Sequence, residues 1–100
     1  MHLLENLWYC AALSTEVNRE PMRRIICGIP MVFYRSESGK PIALEDRCSH
    51  RHAPLSMGKV IGDEIHCIYH GYAFDCSGSC THIPHQEGAP ETANIMAFPL

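Results

Sequence analysis

The chain has 100 residues, 46% hydrophobic and 19% charged, which suits one soluble domain and excludes a disordered chain. Eight Lys and Arg against eleven Asp and Glu give a net charge of −3, and no basic block exceeds Arg23-Arg24, so no nucleic-acid partner is expected. No apolar run reaches membrane-spanning length and no basic, apolar leader opens the sequence, so the expected location is the cytoplasm, away from the membrane.

Hydrophobic periodicity is short throughout. Ser14 is expected to cap a single helical turn across Leu13–Val17. Two β-branched and aromatic runs, 24–28 and 31–35, read as strands broken at Gly28-Ile29-Pro30. A hairpin loop over 36–40 leads into a strand at 42–45, and residues 47–58 read as a loop carrying Cys48, His50, His52 and Pro54. A turn at 62–64 precedes a strand at 65–68; a second loop at 69–71 precedes a strand at 72–75. A turn at 76–79, a strand at 80–83, a surface loop at 84–94 and a last strand at 95–98 complete the chain. Short strands separated by frequent turns predict an all-β domain.

Six Cys and seven His are the unusual counts. A cytosolic chain keeps its thiols reduced, so Cys and His enriched together point to metal rather than to disulfides. The informative spacing is Cys48-x-His50, sixteen intervening residues, then Cys67-x-x-His70. Each of two loops between strands offers one thiolate and one imidazole. Zinc fingers more often place two Cys in one pair and two His in the other. Mixed loops suit a [2Fe–2S] cluster with two Cys on one iron and two His on the other. Two ferric ions, two sulfides and two thiolates then carry no net charge, and one electron adds only a single negative charge.

These residues and their flanks resemble a Rieske iron–sulfur domain. His50-Arg51-His52-Ala53-Pro54-Leu55-Ser56 matches the first loop of that family and the stretch after it, and Cys67-Ile68-Tyr69-His70-Gly71 matches the second. Asn6-Leu7-Trp8-Tyr9 and the Phe74-Asp75, Gly78, Cys80, Pro84 series extend the likeness. They are similar to oxygenase components of the vanillate O-demethylase, dicamba monooxygenase and toluenesulfonate monooxygenase type. The resemblance implies small antiparallel sheets, with a cluster-binding subdomain (45–76) inserted into a β-sandwich base (1–44 and 77–100). It also implies Cys48 and Cys67 on one iron, and His50 and His70 on the other.

The same resemblance implies partners. The electron donor would be a reductase or ferredoxin, and the acceptor an oxygenase catalytic domain whose mononuclear iron acts on an aromatic compound. Oligomers would form only with that catalytic domain present. The chain shows no credible two-His, one-carboxylate set of its own, so it is read as an oxidoreductase component whose status as an enzyme by itself stays open. The cysteines that brace respiratory Rieske loops are replaced by Ala53 and Tyr69, and Tyr72 stands where a sulfide-bonding Ser would sit, which implies a low reduction potential. A free Rieske ferredoxin and a structural zinc module are the alternatives. His52 is read as a loop residue, Cys10 and Cys27 as buried filler, Trp8 and Tyr9 as core, and Glu45 and Asp46 as strand-end charges. A Cys76/Cys80 redox pair and an iron site at His82, His85 and Glu87 are minor readings.

Overall fold

The computed structural model describes residue 12 and residues 14–49, 53–68, 71–84 and 88–100. Met22–Ile26 (β1) and Ile29–Arg35 (β2) form an antiparallel hairpin with Ile26 opposite Ile29. Its turn is the pair Cys27-Gly28, at φ 53° and 75°, as a type I′ hairpin turn requires. Cys27 is therefore a half-buried turn residue, not core filler. Because the turn takes only two residues, β2 starts before Pro30, whose carbonyl accepts the Asp46 N–H at 2.9 Å.

Pro41–Glu45 (β3) pairs with β2, placing Val32 opposite Leu44, Phe33 opposite Ala43 and Tyr34 opposite Ile42. Lys59–Ile61 (β4), Glu64–His66 (β5), Ala73–Phe74 (β6) and Cys80–His82 (β7) build a second antiparallel sheet in that order. Ala97–Phe98 (β8) then returns to pair with β3, giving the first sheet the order β1-β2-β3-β8. The whole second sheet thus lies, in chain order, between two neighbouring strands of the first. The fold is all-β, with three short 3₁₀ turns and no α-helix among the described residues.

The first sheet is covered on both faces, so Val32, Phe33 and Tyr34 are all buried in succession. Val32, Tyr34, Ile42 and Leu44 face the main core, which they share with Leu55, Ile65, Phe74, Ile83 and Ile95. Phe33 and Ala43 face the other way, onto Val17 with Ala12, Met22 and Phe98. Arg35 holds that second layer in place. Its guanidinium donates to the carbonyls of Val17 (2.7 Å), Gly39 (2.8 Å) and Ser14 (2.7 Å) and to Ser14 Oγ (2.8 Å). The turn at Ser14–Glu16 is 3₁₀, and the Ser14 hydroxyl serves Arg35 instead of capping it.

Tyr34 joins the two sheets, since its hydroxyl donates to the carbonyl of Asp63 in the β4–β5 turn at 3.0 Å. Asp63 Oδ1 in turn accepts the N–H of Glu37 at 2.8 Å. The strand expected at 65–68 is shorter and ends at His66, and β4 has no counterpart among the expected strands. The segment 84–94 is not wholly surface: its 3₁₀ turn Glu91–Ala93 buries Ala93 against the main core.

Candidate metal centre

The chain leaves β3 at Glu45 and reaches Cys48 three residues later; it leaves β5 at His66 and meets Cys67 at once. Both loops close in the same way. Cys48 N–H donates to the carbonyl of Ala53 at 2.7 Å, and Cys67 N–H to the carbonyl of Tyr72 at 2.8 Å. In each case the acceptor lies five residues on, and the spanned segment contains the loop's candidate His. Gly71 N–H also donates to the Cys67 carbonyl at 3.2 Å, with Gly71 at φ 76°, a conformation that favours glycine.

Both thiols lie in the main core, with residue exposures of 1% for Cys48 and 4% for Cys67. Neither is in a disulfide. His50 and His70 lie outside the described residues, as do Arg51, His52 and Tyr69. Ala53 packs against the core and cannot cross-link. Tyr72, in the place of the expected sulfide-bonding Ser, is partly buried beside the same core.

Asp46 is not an ordinary strand-end charge. Its side chain has no exposure, and it accepts hydrogen bonds from Ser56 N–H (2.7 Å), Ser56 Oγ (2.6 Å) and Arg23 Nη1 (3.0 Å). These bonds tie the residue two before Cys48 to the chain just beyond the first loop. Glu45 is also engaged: its carboxylate pairs with Arg47 and accepts the Met96 N–H at 3.1 Å. Nothing in the residue order distinguishes these carboxylates from solvated ones; the only hint is a Ser beyond the loop at a reachable distance.

Gly58 brings the two loops together. A side chain there would place Cβ 1.9 Å from the carbonyl oxygen of His66, the residue before Cys67. The backbone leaving the first loop can therefore run directly beside the backbone entering the second, and Lys59 pairs with His66. His66 Nε2 lies 3.4 Å from Glu64 Oε1, within ion-pair range but without hydrogen-bond alignment.

The two cysteines of the C-x3-C pair, Cys76 and Cys80, have different hydrogen-bond partners. Cys76 Sγ donates to the Asp63 carbonyl at 3.3 Å and Cys80 Sγ approaches the His82 carbonyl at 3.7 Å. Burial raises both thiol pKa values above the ordinary range. His82 is exposed, while His85 and Glu87 lie outside the described residues. So do Cys10, Trp8 and Tyr9.

Two buried, disulfide-free thiols in loops of one construction, each loop spanning a His, fit a cluster held by two Cys and two His. A buried Ser49 hydroxyl without a hydrogen-bond partner lies next to Cys48, suited to a group rich in sulfur acceptors.

Known proteins bear directly on this fit. Residues 7–98 match the family model described as the Rieske [2Fe-2S] domain. The chain is 43% identical over 101 residues to the oxygenase component of dicamba O-demethylase from Stenotrophomonas maltophilia, covering 100% of this chain and 30% of that protein. It is 42% identical over 98 residues to the toluene-4-sulfonate monooxygenase system iron-sulfur subunit of Comamonas testosteroni, covering 97% and 28% respectively. The crystal structure of dicamba monooxygenase bound to dicamba superposes with a TM-score of 0.93 at 42% identity, over 99% of this chain and 30% of that one. The chain thus spans less than a third of the length of these relatives. It belongs to the Rieske [2Fe-2S] domain family, whose Rieske-type cluster serves electron transfer.

Proposed function

We propose that Cys48 and Cys67 hold one iron of the cluster and His50 and His70 the other. The domain would pass single electrons from a reductase or ferredoxin to the mononuclear iron of an oxygenase catalytic domain. The observation that carries this reading is the matched pair of loops, each closed from a buried Cys N–H to the carbonyl five residues on. When bound, the cluster supplies a one-electron couple whose charge changes by one unit at a fixed site.

The protein's own residues do the remaining work. The two backbone closures hold the thiols at fixed positions, Asp46 locks the base of the first loop, and Gly58 keeps the loops adjacent. Burial of both thiols excludes water from the sulfur side. We place the cluster-binding subdomain at 45–76 and the base at 1–44 and 77–100, with β6–β7 pairing joining the two across that boundary. The relatives' names, an O-demethylase and a monooxygenase, support an oxygenase as the complete enzyme. We propose that it acts on an aromatic compound, by ring hydroxylation or O-demethylation, and that it works in the cytoplasm.

Alanine substitution tests the ligand set. His50→Ala and His70→Ala are expected to lose the cluster or change its visible and EPR spectra, and His52→Ala to leave them intact. Cluster loss in His52→Ala with retention in His50→Ala would contradict the assignment. For the electron path, NADH and an oxygenase reductase should bleach the oxidised protein; bleaching by dithionite alone would contradict the proposed donor.

A further inference from the structure

Ser49 sits between Cys48 and position 50, inside the first loop. Its Oγ is buried and has no hydrogen-bond partner. The other serine hydroxyls differ. Ser14 Oγ accepts from Arg35, Ser36 and Ser38 pair with each other, Ser56 donates to Asp46, and Ser77 bonds Asp75 and Ser79. Of the seven serines, Ser49 is the one whose buried hydroxyl is left without a partner among the described residues. A hydroxyl removed from water without a partner is costly, and native proteins keep few of them.

The second buried side-chain atom without a hydrogen bond, His66 Nε2, flanks the other cysteine but has Glu64 at 3.4 Å. Ser49 Oγ has no hydrogen-bond partner of any kind among the described residues. Resting on the Cys and His assignment above, we propose that Ser49 Oγ–H donates a hydrogen bond to a sulfide of the cluster, since the cysteine sulfurs already in place do not partner it. Ser49 is thereby a positioning and potential-setting residue. A rotatable hydroxyl suits this role, because its hydrogen can turn to whichever sulfide carries most negative charge.

The reduced cluster carries one more negative charge than the oxidised one, so a donor to sulfur stabilises the reduced form more. The Ser49 hydroxyl therefore raises the potential. The second loop holds Tyr72 where a Ser donor was expected, and the Tyr72 carbonyl already accepts the Cys67 N–H. The first loop supplies a hydroxyl from a different position.

The test is a redox titration of the cluster-loaded protein in four forms: wild type, Ser49→Ala, Ser49→Thr and Ser49→Val. The Thr and Val forms match in size and differ in the hydroxyl. We expect Ser49→Ala to titrate below wild type and Ser49→Val below Ser49→Thr. The expected change is up to about tenfold in the redox equilibrium, equivalent to about 59 mV for one electron. Cluster loss confined to the Ala and Val forms would equally show that the hydroxyl is needed. Equal potentials within both pairs, or cluster loss in Ser49→Thr as well, would overturn the proposal. The wild-type EPR spectrum, recorded first, separates these outcomes from a failure of the ligand assignment.

Discussion

Asp46 and Ser56 clamp the first loop at its base: the buried carboxylate accepts the Ser56 N–H at 2.7 Å and the Ser56 hydroxyl at 2.6 Å. Asp46 lies two residues before Cys48, and Ser56 lies just past the segment that the Cys48–Ala53 bond closes. The carboxylate also holds Arg23 of β1, so the loop is referred to the edge of the first sheet. Asp46→Asn keeps the volume but faces an amide N–H₂ towards one of these donors. We expect it to cost about 1–3 kcal/mol, lowering Tm by roughly 4–8 °C per kcal/mol for a domain of this size. Bound iron should fall in parallel. Ser56→Ala, which keeps the backbone donor, should cost about 1 kcal/mol. Thermal unfolding with an iron assay checks this, and an Asp46→Asn protein melting with wild type would refute it.

Glycine contacts give a second prediction. Gly58→Ala forces Cβ against the His66 carbonyl, with backbone on both sides and no flexible atom to yield. The expected loss is about 3 kcal/mol in urea unfolding, at the upper end for overpacking. Gly39 has nothing within 4 Å but sits at φ 87°, so Gly39→Ala should cost only about 1–2 kcal/mol. Equal losses at the two positions would mean that close approach of the loops is not what Gly58 provides.

Thiol chemistry gives a third. Cys76 and Cys80 are free and have different hydrogen-bond partners, and burial raises both pKa values. Both should alkylate slowly at neutral pH, because the thiolate is the reactive form. After anaerobic denaturation and removal of iron, all six cysteines should titrate as thiols. Four thiols would reveal a disulfide and reopen the Cys76–Cys80 pair as a redox element.

Alkaline stability gives the fourth. Tyr34 is held well above the ordinary tyrosine range, first by burial and then by the nearby Cys76, Asp75 and Asp63. A raised native pKa means that the unfolded chain releases the proton first, so stability falls as pH rises. The Cys76 and Cys80 contributions should begin to fade above about pH 8.5, and that of Tyr34 above about pH 10. Tyr34→Phe removes the Asp63 hydrogen bond and should be less stable at neutral pH, yet lose less on going above pH 10. Parallel pH profiles for the two proteins would count against the role given to Tyr34.

Much of the fold is legible in residue order. Val32-Phe33-Tyr34 announces its strand through β-branched and aromatic residues, Ile42-Ala43-Leu44 through an apolar run after a hairpin loop, and the Cys-x-His and Cys-x-x-His spacing marks the two loops. Other features depend on contacts that a linear pattern does not carry. β4 has three residues, two of them exposed, and comes directly after a glycine, so it offers no alternation to read. The turn at Cys27-Gly28 lacks the Asn or Asp that signals a type I′ hairpin. Ala93 is buried only because its 3₁₀ turn folds back onto the core. Asp46 and Ser56 are ten residues apart, and their pairing emerges only once the first loop has closed.

Two Cys and two His together holding one [2Fe–2S] cluster is the central claim, and EPR of the dithionite-reduced protein, with iron and sulfide assays, tests it most directly. Two iron and two sulfide per chain are expected, as the family's cluster requires. The expected spectrum is rhombic with a low average g, the signature of mixed Cys and His ligation. A plant-type spectrum from four cysteines, or a colourless zinc protein without sulfide, would contradict it.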